Sequence, residues 1–216
     1  VGLLALDVAR GRPEDVASRF RADSVLPERV RLMLPLLLVP LGVPLEAEAD
    51  AARRDLAAEY GRAGERSSSP VHAWMLGAAA LEAGDRAGAR AAAGELARRA
   101  AVGGRLETQL AVALAARLDL ARADTTTAVA RLAELRPAAP LDALGWAPWE
   151  TLGAERILLA RLRLARGDTG GARLVASGFD AAAAPIDLLY LRQSLELRSA
   201  AGDPDARRRL QGLTPR

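Results

Sequence analysis

Few side chains in this sequence can do chemistry. The 216-residue chain carries one histidine, His72, and no cysteine, lysine or asparagine. His72 follows Ser67-Ser68-Ser69-Pro70 near the expected start of a helix. A serine triad built there would need a distant carboxylate, and the plainer reading is a surface or cap-region histidine. One imidazole cannot build a histidine-rich metal site, and the carboxylates never fall into the D-x-D-x-D-G spacing of a calcium loop. Glu46/Glu48 and Glu150/Glu155 could pair for acid–base work on glycosides, but aromatic residues, the usual platforms for sugars, make up only 3% of the chain. Without lysine there is no GxxxxGK[ST] phosphate loop and no Schiff base. Without cysteine there is no disulfide, thiolate nucleophile or cysteine-based zinc site, and the redox compartment stays open, with the cytoplasm slightly favoured. The expectation is a non-catalytic protein with no cofactor and no metal.

Arginine is the sole strong base, so the formal net charge is only +3. Basic and acidic residues alternate along most of the sequence; Arg98-Arg99 and Arg207-Arg208-Arg209 are the densest basic runs. With so few aromatics to stack on bases, solvated helix faces are the better reading and nucleic acid is not an expected partner. Between Arg31 and Glu46 lie 14 uncharged residues interrupted by Pro35, Pro40 and Pro44. That is short of the roughly 20 needed to cross a bilayer, so a buried, kinked helix is expected there. The absence of lysine and asparagine beside abundant alanine, arginine and glycine points to a GC-rich, bacterial genome. The sequence begins at Val1, which reads as a processed product or a piece of something longer.

The elements that must position these residues show in a repeat. "LEAGDRAGARA" (81–91) and "LARGDTGGARL" (164–174) share Leu81/Leu164, Gly84/Gly167, Asp85/Asp168, Gly88/Gly171, Ala89/Ala172 and Arg90/Arg173. Near the midpoint, "LDLARADTTTAVARLAEL" (118–135) places Leu120, Ala123, Asp124 and Ala128 correspondingly, so the period is about 40 residues. A weaker copy surrounds Gly202-Asp203, and "LDVARGRPEDVASRF" (6–20), with Gly11, is a degenerate first one. Half the residues are hydrophobic, mostly alanine and leucine, which favours helices. In each copy an apolar helix stripe precedes the glycine, which can take the left-handed conformation past a helix end, and the aspartate can cap the next helix. Small Ala89, Ala128 and Ala172 let the second helix close on the first, giving an antiparallel hairpin. Arg166-Gly167-Asp168 is thus a turn rather than an adhesion signal, since its Gly and Asp recur where no arginine precedes them.

Leu76-Gly77 in a first helix, Gly84-Asp85 at the turn and Ala89 in a second helix resemble the tetratricopeptide (TPR) repeat, across about residues 70 to 206. The resemblance implies an all-α fold, a right-handed α-solenoid of antiparallel helix hairpins, and a scaffold that binds a polypeptide. The usual tyrosine before the turn is missing, Ala116 and Ala160 replace the first-helix glycine, and the period exceeds the roughly 34 residues of the family. The family's dicarboxylate clamp uses lysine and asparagine, which are absent here. The linker "GRAGERSSSP" (61–70) suggests N-terminal degenerate hairpins over 1–66 and the TPR-like array over 67–216.

Counting back from the turns places Arg117 and Arg161 at equivalent first-helix positions, and Trp74, Ile157 and Arg192 one turn earlier. One reading is a groove in which Arg117, Arg161 and Arg192 meet an acidic partner, with Trp74 and Ile157 as apolar contacts; the other is solvated arginines without a ligand. Trp146 and Trp149, in the proline-punctuated stretch 136–150, either plug the space between hairpins or anchor a partner. Two other roles stay open: a regulatory or sensory C-terminal module of a larger bacterial kinase or transcription activator, and a structural subunit of a stable complex.

Overall fold

The computed structural model of the chain describes residues 2–63, 69–136, 152–180 and 187–213. Among the described residues there are twelve α-helices, one short 3-10 helix and no strand, so the chain is all-α. In order, the helices are α1 (Gly2–Ala9), α2 (Pro13–Ala22), α3 (Glu28–Leu38), α4 (Glu46–Ala63), α5 (Pro70–Glu82), α6 (Arg86–Ala101), α7 (Arg105–Ala121), α8 (Thr125–Glu134), α9 (Gly153–Ala165), α10 (Thr169–Ser177), α11 (Leu188–Ala200) and α12 (Pro204–Leu213). The apolar 31–46 stretch is not one long helix: α3 contains Pro35, passes into the 3-10 turn Val39–Leu41 and stops at left-handed Gly42. No described helix is long and apolar enough to cross a membrane.

Five helix pairs are joined by one kind of tight turn: α1–α2, α5–α6, α7–α8, α9–α10 and α11–α12. The turn residue is left-handed in each, with φ of +70° at Gly11, +78° at Gly84, +62° at Ala123, +80° at Gly167 and +87° at Gly202. The next amide then donates back to the carbonyl five residues earlier: Arg12 to Leu-flanked Asp7 (3.0 Å), Asp85 to Ala80 (2.8 Å), Asp124 to Asp119 (2.9 Å), Asp168 to Arg163 (2.9 Å) and Asp203 to Arg198 (2.9 Å). This is the bond that ends a helix in a Schellman motif. In the last four turns the aspartate also caps the second helix, its carboxylate accepting amides such as Gly88 (2.9 Å), Thr127 (3.0 Å), Gly171 (2.8 Å) and Ala206 (3.2 Å). The first turn has Arg12 instead and makes no side-chain cap, which is why it reads as degenerate in sequence.

By contact the chain groups into two compact units, Val1–Ala49 with Ala138–Arg216, and Asp50–Pro137. This grouping differs from the expected 1–66 and 67–216 division, because α1 packs against α11 and thereby joins the first hairpin to the last ones. In the 50–137 unit α5 packs on α6 and α7, α6 on α7, and α7 on α8. The other unit repeats that order with α9, α10, α11 and α12. Its apolar cluster gathers Leu4, Val16, Phe20, Leu38, Ile157, Phe179 and Leu189. Ala89, Ala128 and Ala172 are fully or almost fully buried, as a close helix–helix approach requires. Gly77 has the same role on α5: a Cβ there would lie 2.5 Å from Leu114 Cδ2 of α7 and 2.9 Å from Ala92 Cβ of α6.

Ala123 occupies the place that glycine takes in the other four turns, and left-handed backbone is costly for a side chain with a Cβ. Ala123→Gly is expected to stabilise the protein by about 0.5 kcal/mol, after the entropy that glycine adds to the unfolded chain, while Gly167→Ala should destabilise it by about 1 kcal/mol. Urea denaturation midpoints of the two variants check both signs.

Candidate functional site

The shared turn brings three side-chain positions together: the fifth residue before the capping position, the capping residue, and the seventh residue after it. In α1–α2, Asp7 at the first of these accepts Arg19 Nε at the third (3.1 Å). In α7–α8, Asp119 accepts Arg131 Nε in the same way (2.7 Å) and also takes Arg122. In α9–α10 and α11–α12 the polarity is reversed: arginine stands at the first position and reaches the capping aspartate itself. Arg163 Nη1 lies 3.8 Å from Asp168 Oδ2. Arg198 sends Nε (2.9 Å) and Nη2 (2.7 Å) to Asp203 Oδ2 and also pairs with Asp180.

The α5–α6 hairpin has neither arrangement. Its first and third positions are Ala80 and Ala92, and a cleft of about 310 Å3 opens there, lined by Tyr60, Ala73, Leu76, Ala80, Asp85, Gly88, Ala91 and Ala92. Asp85 Oδ1 accepts the amides of Ala87 (3.1 Å) and Gly88 (2.9 Å). No ion pair reaches its other oxygen among the described residues.

The residues singled out from sequence do not share one environment. Trp74 and Arg117 meet: the guanidinium carbon lies 5.7 Å from the indole ring centre, in a cation–π arrangement between α5 and α7. Trp74 itself is 8% exposed, so its contribution is chiefly to packing. Arg161 is exposed on α9, with no ion pair among the described residues. Arg192 is anchored inside its unit, with Nε donating to the Ala9 carbonyl (3.2 Å) and Nη1 3.8 Å from Glu196 Oε1. Its guanidinium covers the α1–α2 turn, where a Cβ on Gly11 would lie 2.8 Å from it. Ile157 is 2% exposed in the apolar cluster, so it is a core residue rather than a surface contact. Trp146 and Trp149 lie outside the described residues. His72 is the third residue of α5, in the cap region, but it is buried and not at the surface.

Charges elsewhere are held by similar local chemistry. Burial pushes Glu95 up, but hydrogen bonds from Arg99 and Arg98 outweigh it and leave its carboxyl below the usual range. Burial lowers Arg156, and nearby Asp187 offsets only part of that; its guanidinium carbon lies 3.9 Å from the Phe179 ring centre. Among the described residues no group of three or more His, Asp or Glu side chains could hold a metal ion. The sequence missed the charge pairing around the turns because its two polarities cancel when copies are aligned by residue type. The signal that would have found it is the fixed 12-residue separation of Asp7/Arg19 and Asp119/Arg131.

No protein-family model, curated protein or solved structure matches the chain.

The Arg198 side chain is only 9% exposed and serves two carboxylates, so Arg198→Met is expected to cost about 2 kcal/mol. The hydrogen bond from Arg198, with further help from the Ala206 amide, holds the Asp203 carboxyl below its ordinary value. A depressed carboxyl stabilises the fold fully above its unfolded value of about 3.9, and this stabilisation is lost as pH falls through the folded value. Urea midpoints measured from neutral pH down to about pH 2 should therefore fall less steeply in the variant than in the parent chain.

Proposed function

We propose that this chain is a non-catalytic, TPR-like scaffold that binds a polypeptide partner, its hairpins stacked in the manner of a right-handed α-solenoid. The observation that carries the reading is the packing order repeated in each unit. A first helix meets its own second helix and also the first helix of the next hairpin, as α5 does with α6 and α7, and α9 with α10 and α11. Within each unit, stacking of this kind leaves a hairpin dependent on its neighbour for burial and sets successive first helices side by side, the kind of surface such arrays use for extended peptides or helices.

Arg117 on α7 and Arg161 on α9 each supply a cationic group on a first helix of their own unit, and an acidic polypeptide is the partner that either suits. Trp74 supports the first by holding its guanidinium against an indole face. Arg192 is left out of this surface, because its donors are committed to the Ala9 carbonyl and the Glu196 carboxylate.

Capture on the immobilised full chain from an extract of the source organism tests the reading. A retained polypeptide should elute as salt rises to about 0.5 M, where exposed charge pairs are strongly screened. Retention should fall roughly tenfold with Arg117→Gln plus Arg161→Gln, at unchanged helical circular dichroism. Retention unaffected by both substitutions, or none above a blank surface, counts against it.

A further inference from the structure

In four of the five such turns among the described residues, an arginine pairs with a carboxylate beside the turn. Two hairpins supply it at the seventh position after the cap, as Arg19 and Arg131, and two at the fifth position before it, as Arg163 and Arg198. The α5–α6 hairpin has alanine at both places, Ala80 and Ala92, and keeps an open cleft of about 310 Å3.

We propose that this cleft receives the side chain of an arginine presented by a polypeptide partner, its guanidinium on Asp85 Oδ2 and its methylene stem along Leu76, Ala80 and Ala92. The inference rests on the scaffold reading and names a chemical feature of the partner.

The chain's own hairpins provide the template. At Asp203, Oδ1 accepts the cap amides of Asp205 (3.0 Å) and Ala206 (3.2 Å), while Oδ2 takes Arg198. At Asp168, Oδ1 accepts Gly171 and Oδ2 faces Arg163. At Asp85, Oδ1 is engaged by Ala87 and Gly88 in the same manner, and Oδ2 is left for a donor from outside. The glycines at the floor of the two hairpins have matching surroundings on the aspartate side. A Cβ built on Gly171 would meet Asp168 Oδ2 at 2.2 Å and Arg163 Nη1 at 2.5 Å. One built on Gly88 would meet Asp85 Oδ2 at 2.3 Å, and then nothing nearer than the Asp85 Cγ at 3.1 Å and Ala80 Cβ at 3.5 Å. Where Arg163 Nη1 stands next to Gly171 in one hairpin, the nearest side chain to Gly88 other than that of Asp85 is the Ala80 methyl.

The lining suits arginine over other cations. Its stem is apolar and packs on alanine and leucine, whereas its planar fork is less strongly hydrated than an ammonium and grips carboxylate oxygens with fixed geometry. Tyr60 adds an aromatic residue to the lining, a type of neighbour that guanidinium favours.

The test is an amide-shift titration of the isotope-labelled full chain with N-acetyl-arginine N-methylamide, against the citrulline analogue of the same shape without the charge. Arginine amide should shift Gly88, Ala91 and Ala92 saturably in the millimolar range, and citrulline amide should bind roughly fivefold more weakly. Asp85→Asn, which preserves an effective cap, should abolish the preference for arginine. Ala80→Arg should abolish the shifts and raise the thermal midpoint, because it supplies the guanidinium from within. Equal binding of the two amides, arginine shifts that survive in either variant, or no saturable shift up to the solubility limit would overturn the proposal. Partner capture that persists when the arginine amide fails leaves the scaffold reading standing and removes only this site.

Discussion

One backbone hydrogen bond sets the geometry of five helix pairs: the amide after a left-handed residue donating to the carbonyl five residues back. It satisfies a carbonyl that a helix end would otherwise expose and reverses the chain within three residues. Once the turn is fixed, so are the side-chain positions around it. In α9–α10 and α11–α12 the residue whose carbonyl accepts that bond is an arginine, and the capping carboxylate beside it keeps one oxygen on the amides and turns the other to that arginine. The helices, the caps and the charge pairs all follow from that constraint.

Arginine's part in the packing comes from the same place. A chain with 3% aromatic residues and an alanine-rich interior has few bulky groups to fill the wedge between helices as they splay from a turn. Arg198 and, in part, Arg163 bury their stems there and end on a carboxylate, while Arg131 and Arg19 reach their carboxylates from the rim. Partial burial makes such pairs poor sources of net stability, since desolvation offsets much of the attraction. Their effect is on register: Asp119 is buried and accepts both Arg122 and Arg131, so sliding α8 by one residue would take Arg131 away and leave one oxygen of a buried carboxylate unmatched.

How much of this the sequence disclosed depends on whether the cause was local. The turns were legible because glycine and aspartate act within three residues of themselves, and even Ala123, with no glycine to mark it, was found from the spacing of its neighbours. The all-α class followed from composition and helix stripes. The packing of α1 on α11 was not legible, because nothing near Ala9 records that Arg192 will donate to its carbonyl. For the same reason Arg192 and Ile157 could be placed on a surface by counting from the turn, although one is fastened to α1 and the other lies inside the apolar cluster. Helical periodicity says which residues share a face. It does not say which faces are covered by segments distant in sequence.

The vacancy in the α5–α6 hairpin is better understood against that background. In α9–α10 and α11–α12 the hairpin's own arginine stands on the capping carboxylate, so that oxygen is already engaged from within. Replacing the long side chain by alanine removes the internal occupant without disturbing the backbone bond that shapes the turn, for Asp85 still donates to the Ala80 carbonyl at 2.8 Å. The scaffold and the opening are therefore separable: the turn depends on main-chain geometry and Gly84, whereas the opening depends only on how far the side chains at 80 and 92 reach. Close packing of α5 on α7 through Gly77 keeps the wall behind the cleft fixed. An array can in this way turn one of its structural slots outward by shortening two side chains, with no new backbone to stabilise.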